Sequence, residues 1–281
     1  MVCLVGNHVR HSLNRLTLVG LLGIALFGAV AGFAYGQSSF DEQAEQRMLA
    51  LMNQERAAAG IAPLKLDPRL TQAARKHSQR MVDQDSVAHQ LPGEDVLLMR
   101  LVAEEVRTDH DGENIAKHGD VESAHQALME SPGHRANILN PEFNAVGVGI
   151  VRDDSQVFVT EDFAHVLPTY SDFEADAAAQ QAITDFARSH GVPTLERKTR
   201  TQLTHMACDM AKADKIDAQA ARSVPGTTSA VAWTASDLRQ LPAGLRSVLS
   251  QPLSSGYSLG VCFAPSKSYP GGIYWLIFIT Y

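Results

Sequence analysis

Apolar positions recur at helical spacing in some stretches of this chain and run as short β-type blocks in others. That pattern fixes a mixed α/β reading before any chemistry is considered. Over residues 43–59, Ala44, Met48, Leu51 and Met52 fall on one helical face, and Gly60 ends the run. Asp67 stands where it can cap a second helix, with Pro68 at the first helical position, where a missing N–H costs nothing. Leu70, Ala73, Ala74, His77 and Met81 form the stripe of that helix. Residues 95–106 and 122–130 read as further helices. The latter stops at Ser131, because Pro132 disfavours helical backbone in the residue before it. Residues 145–151 and 156–163 are rich in Val and Phe and read as strands, joined by a hairpin turn at Asp153-Asp154-Ser155.

From Tyr170 onward the chain reads as a second αβ unit. Leu203, Met206, Ala207 and Met210 repeat the stripe of Leu70, Ala73, Ala74 and His77. Residues 259–263 echo 146–150, and the apolar block 273–281 stands where 157–163 stands in the first half. A diverged duplicate is the expectation, with an unrelated αβ extension as the alternative. The second unit lacks a Gly-Glu-Asn motif and has no histidine after His205, so a duplicate would keep the scaffold without the site. Block 273–281 is too apolar for an exposed edge and is expected in the middle of a sheet, covered on both faces.

The 281 residues suffice for one large or two small domains. A net charge of −7, with no Lys/Arg run beyond the first residues, argues against a nucleic-acid partner, which needs a concentrated basic face. Arg10, His11 and Arg15 precede an uncharged apolar stretch over 16–35, with small residues at Ala34 and Gly36. Residues 1–36 therefore read as an export signal cleaved near Gly36. About 20 apolar residues could equally remain as a membrane anchor. Either reading places the remainder outside the cytoplasm, secreted or periplasmic, and touching a membrane only through this segment. Cys208 and Cys262 remain once Cys3 leaves with the leader. A disulfide and two buried thiols are both open, since spacing alone cannot set the Cα separation.

Four motifs carry the candidate chemistry: Val87-Ala88-His89, Gly112-Glu113-Asn114-Ile115, the segment from Ser131-Pro132-Gly133-His134 to Leu139, and Gly147/Gly149 with Glu161-Asp162-Phe163 behind them. Two imidazoles and a carboxylate are ligand types that zinc and related divalent ions take. Each has an ordinary role too: His89 as a cap or surface group, His134 as a helix cap, and Glu113 as an acceptor within a loop that Asn114 orders. His77 reads as a core histidine bonded to backbone, and His125 as near the cleft or exposed. Glu161 and Asp162 point to opposite faces of their strand, so at most one reaches the cleft. No Gly-x-Ser-x-Gly elbow and no His-Glu-x-x-His helix is present, which argues against a serine hydrolase and a zincin-type protease.

These motifs, with Asn53-x-Glu55-Arg56 and Leu66-Asp67-x-x-Leu70-x-x-Ala73, resemble the CAP superfamily in its bacterial SCP-like branch. The resemblance covers residues 40–168, leaving 170–281 as the C-terminal αβ domain. It implies an α-β-α sandwich with an antiparallel sheet and a cleft around His89, Glu113 and His134. Eukaryotic members often carry a second glutamate on the helix before the second histidine. Here Ser131 is the nearest equivalent, and Glu130, about 100° round the helix, should point elsewhere. The resemblance implies a secreted binding protein whose cleft takes a lipid, a sterol, another small ligand or a cell-envelope component, with a protein partner also allowed. His89 and His134 are the candidate ligands for zinc or another divalent cation. A zinc-dependent hydrolase with Glu113 as general base and a purely structural scaffold are the alternatives, and binding is preferred to catalysis.

Overall fold

The computed structural model describes residues 40–193, 196–251 and 256–281. The leader or anchor expected over 1–36 lies outside them. Among the described residues no helix is long and apolar enough to cross a membrane.

The first half contains helices α1 (Glu42–Ala58), α2 (Pro68–Asp83), α3 (Leu97–Ala103), α4 (Val121–Glu130) and α5 (Pro132–Ile138). Its strands are β1 (Lys65–Leu66), β2 (Thr108–His118), β3 (Ala145–Asp153) and β4 (Gln156–Val166). The sheet order is β1-β3-β4-β2, antiparallel except for the short β1–β3 pair. Met48 and Met52 of α1, Ala124 and Leu128 of α4 and Ile138 of α5 pack on one sheet face, against Val146, Val148, Val159 and Phe163. Leu70 and Ala73 of α2 and Leu101 of α3 cover the other. An α-β-α sandwich results. Gly147 and Gly149 let α2 lie almost on the strand, for a β-carbon at either would overlap the helix backbone at Leu70–Thr71 or at Ala74–Arg75.

Asp67 caps α2 as expected, accepting from the amides of Arg69 and Leu70 at 2.9 and 3.3 Å. Two expectations need correction, and the end of the fourth helix at Ser131 holds. The third helix is confined to Leu97–Ala103, because Glu105 adopts a left-handed backbone with φ 58°. Ser131 ends α4 but also begins α5, with Pro132 at its first position. The Gly112–Ile115 segment is a strand within β2 rather than a loop.

The second half holds α6 (Asp172–Ser189), α7 (Thr201–Ala213), α8 (Gln219–Arg222), β5 (Ser229–Ala235), α9 (Ala243–Leu249), β6 (Tyr257–Ala264) and β7 (Ile273–Thr280). Its order, β5-β7-β6, is antiparallel throughout. The apolar block is indeed the central strand, with α6 and α9 on one face and α7 and α8 on the other. A β-carbon at Gly260 of β6 would overlap Leu203 and Thr204 of α7, as one at Gly147 would overlap Leu70 and Thr71. Cys208 and Cys262 form a disulfide joining α7 to β6, with Cα atoms 5.3 Å apart.

Candidate functional site

β2 is the edge strand of the first sheet, and its successive residues face opposite helical layers. Glu113 lies opposite Asp162 and Asn114 opposite Glu161 in the β2–β4 ladder. Glu113 and Asp162 therefore share the α2 face, and Asn114 and Glu161 the α5 face. The expected alternation of Glu161 and Asp162 holds, and only Asp162 joins Glu113.

Around Glu113 the donors come from α2, the loop after it, and α3. His89 Nδ1 is 2.8 Å from one carboxylate oxygen and Arg100 donates to the other at 2.5 Å, while His77 Nε2 stands 3.8 Å away. Glu113 is nearly buried, whereas the His89 side chain is 60% exposed and opens the group to solvent. His77 is fully buried, but its Nδ1 meets the Glu94 carboxylate at 2.9 Å rather than a backbone group. Burial, and then the neighbouring charge of Glu113, push the Asp162 carboxyl well above the usual carboxylate range. Asp162 is thus held protonated beside Glu113, as two close carboxyls out of water require.

On the other face, Asn114 donates to the His134 carbonyl at 3.1 Å and to Glu161 at 2.9 Å, and accepts from Asn137 at 2.9 Å. Fully buried Arg56 donates to the Ile138, Asn140 and Phe143 carbonyls, which fixes the end of α5 and with it His134. His134 is half-buried, and burial, then the nearby charge of His89, lowers its pKa. The two histidines thus reach the edge of the sheet from opposite layers. Ser131 is half-buried at the α4–α5 junction. Glu130 accepts from Gln126 on the exposed face, away from the site. His125 is buried, with neither ring nitrogen hydrogen-bonded.

Residues 49–164 match the family model for cysteine-rich secretory proteins, CAP. This segment is a CAP domain. It is 40% identical over 114 residues to the uncharacterized protein YkwD of Bacillus subtilis, a match spanning 40% of this chain and 44% of that one. It is 32% identical over 109 residues to the uncharacterized membrane protein YlbC of the same organism, spanning 38% and 32%. The chain thus spans less than half the length of these relatives. An extracellular SCP-domain protein of Bacillus anthracis aligns at 32% identity with a TM-score of 0.41, over 44% of this chain and 41% of that one.

The CAP-domain donors fit a divalent cation only in part. The carboxylate on His89 Nδ1 leaves Nε2 as the free nitrogen, the arrangement that orients a histidine ligand. The lowered pKa of His134 favours the neutral, ligating form. Yet no group of three His, Cys, Asp or Glu side chains among the described residues is arranged to hold a metal. A cation would have two imidazoles and water. Glu113, holding a donor on each oxygen, acts as the orienting group for His89 rather than as a free base. The sequence motifs missed His77, Glu94 and Arg100 as parts of this site. Glu94 and Arg100 belong to none of the motifs, and the apolar stripe around His77 pointed only to the core.

Fully buried Glu161 has its pKa raised by burial from 4.5 to about 7. Between those values the folded state keeps a proton that the unfolded chain has released. The stability it contributes is complete below pH 4.5 and is lost as pH rises to about 7, by roughly 3 kcal/mol. Glu161→Gln should flatten this slope and leave the variant more stable than wild type at pH 8. Urea denaturation at pH 5 and pH 8 checks it. Asp162 acts in the same direction, so a residual slope is expected.

Proposed function

We propose that the protein is an exported binding protein. Its CAP domain uses the edge of β2 to hold a small ligand or cell-envelope component beside His89 and His134, the two residues that would hold a divalent cation. The reading rests on the buried Glu113–Arg100–Asp162–His77 cluster behind an exposed His89. Desolvating such charges is costly, and apolar side chains of similar volume would serve packing at least as well.

The second unit supports this by contrast. Read as a diverged repeat, with Gly260 in place of Gly147, its ladder puts Ala232 opposite Ile277 and Trp233 opposite Leu276. The first ladder has Glu113 opposite Asp162 and Asn114 opposite Glu161 at the same steps. The same sheet plan thus carries apolar residues at these steps in the second unit. The Cys208–Cys262 bridge supports export, because such bonds persist in oxidising compartments.

The test is calorimetric titration of the mature protein with zinc at pH 7.5. Wild type should bind, His89→Ala and His134→Ala should each lose most of the affinity, and Glu113→Gln should lose about tenfold through the freed His89 ring. Equal uptake by all four proteins removes the cation from the proposal. A hydrolase would instead show turnover that disappears in Glu113→Gln. Loading with lipid vesicles tests a lipid as the ligand, and repeated failure to load excludes that class.

A further inference from the structure

We infer that β5 is an interface between two copies of this chain. Its outer edge pairs antiparallel with the same strand of a second molecule, about a twofold axis at Ala232, and joins their three-stranded sheets into one. β5 lies at the end of the order β5-β7-β6, so alternate residues along it direct their N–H and C=O groups away from β7. Such a row is a template for another strand, and proteins guard it with charge, proline, irregular pairing or a covering segment.

Among the described residues the other sheet edges carry those guards. β3 is flanked by the two-residue β1 and, further along, by Asp41, whose amide donates to the Ile150 carbonyl at 3.0 Å. β2 has an irregular register between Thr108 and Asp111, exposes Asp109, His110 and Asp111, and has its Glu113 carbonyl taken by Asn137 at 3.2 Å. β6 is bridged by Arg197 at Tyr257, and the Arg107 guanidinium stacks on its Phe263. β5 has none of these. Its sequence Ser-Ala-Val-Ala-Trp-Thr-Ala holds no charge, proline or glycine, and its register against β7 is unbroken. Among the described residues its backbone hydrogen-bonds to β7 alone. All of its residues except Trp233 are half-buried rather than sealed, and a cavity of about 330 Å³ opens beside Trp233, Thr234 and Ala235.

A second copy is the occupant that the strand's residues fit. The chain carries a net charge of −7 and so repels itself, and a strand free of charge is where two copies approach without facing like charges. A twofold axis keeps each residue on its own helical layer, so residues brought opposite must share a sheet face. Centred on Ala232, the pairing meets this condition along the whole strand. Val231 stands opposite the partner subunit's Trp233, both positions on the face covered by α6 and α9. Ala230 stands opposite the partner subunit's Thr234, which leaves the partner subunit's Ser229, a small residue, at the cavity beside Ala235. Aromatic–β-branched and uncharged pairs of this kind support cross-strand pairing.

Sedimentation equilibrium of the mature protein should show a dimer forming between about 1 and 500 μM. Ala232→Lys, which sets two like charges directly opposite each other, should raise the dimer dissociation constant about tenfold or more. Ala232→Cys should give a covalent dimer under oxidation, because directly opposed Cα atoms fall within bridging distance. Ser229→Cys should not, since its two thiols would lie roughly 20 Å apart along the strands. Cys208 and Cys262 are already joined, so the introduced thiol is the reactive one. If Ala232→Lys fails to fold, the two cysteine variants decide. A monomer throughout that concentration range leaves the edge to an unlike partner and overturns the proposal. So does a dimer that Ala232→Lys leaves intact, or equal cross-linking of the two cysteine variants.

Discussion

Gly147→Ala, the addition of one methyl group, should destabilise the protein by more than about 3 kcal/mol. The new carbon would overlap the Leu70 carbonyl and the Thr71 amide, which are helix backbone and cannot rotate aside as a side chain can. Relief requires α2 to lift from β3, and the buried contacts of Leu70 and Ala73 and the Ser78 bond to the Gly149 carbonyl would then part together. Gly119→Ala, where the added carbon meets nothing within 4 Å, should stay within about 0.5 kcal/mol. Urea denaturation of both variants measures the contrast. A Gly147→Ala protein as stable as Gly119→Ala would show that helix and strand are not packed at this distance.

Arg100→Met should cost roughly 3–5 kcal/mol near neutral pH, because it strands the buried Glu113 carboxylate beside Asp162. The loss should not be the simple removal of a contact. In a Glu113→Gln background the same substitution should cost no more than about 1 kcal/mol, since no charge is left unpaired. Four denaturation curves complete this double-mutant cycle. Equal costs in the two backgrounds would mean that Arg100 contributes through packing alone. His89 loses its carboxylate partner only in the two Glu113→Gln proteins, so the effect on zinc uptake can be followed in the same set.

Much of the scaffold was legible from the chain. The stripe from Leu70 to Met81, its Asp67 cap and the Val-rich hairpin all report contacts with near neighbours or one continuous buried face. The central placement of 273–281 followed from its hydrophobicity alone. What could not be read depends on partners distant in sequence. Arg100 reaches Glu113 from a helix shortened by the left-handed Glu105, and no local pattern announces that approach. The strand at Gly112–Ile115 was obscured by its Gly, Glu and Asn, which favour turns in isolation and are held extended here by pairing with β4. His89 and His134 could be singled out as residue types. That they arrive from opposite helical layers follows only from β2 being an edge strand with Glu113 and Asn114 pointing opposite ways.

The link between Cys208 and Cys262 spans 54 positions and pins a helix to a strand that it already touches. A precursor still surrounded by cellular reductants would carry both thiols free, with its C-terminal half unlatched. On the export proposed above, crossing into oxidising surroundings would close the bridge and remove that freedom from the finished molecule.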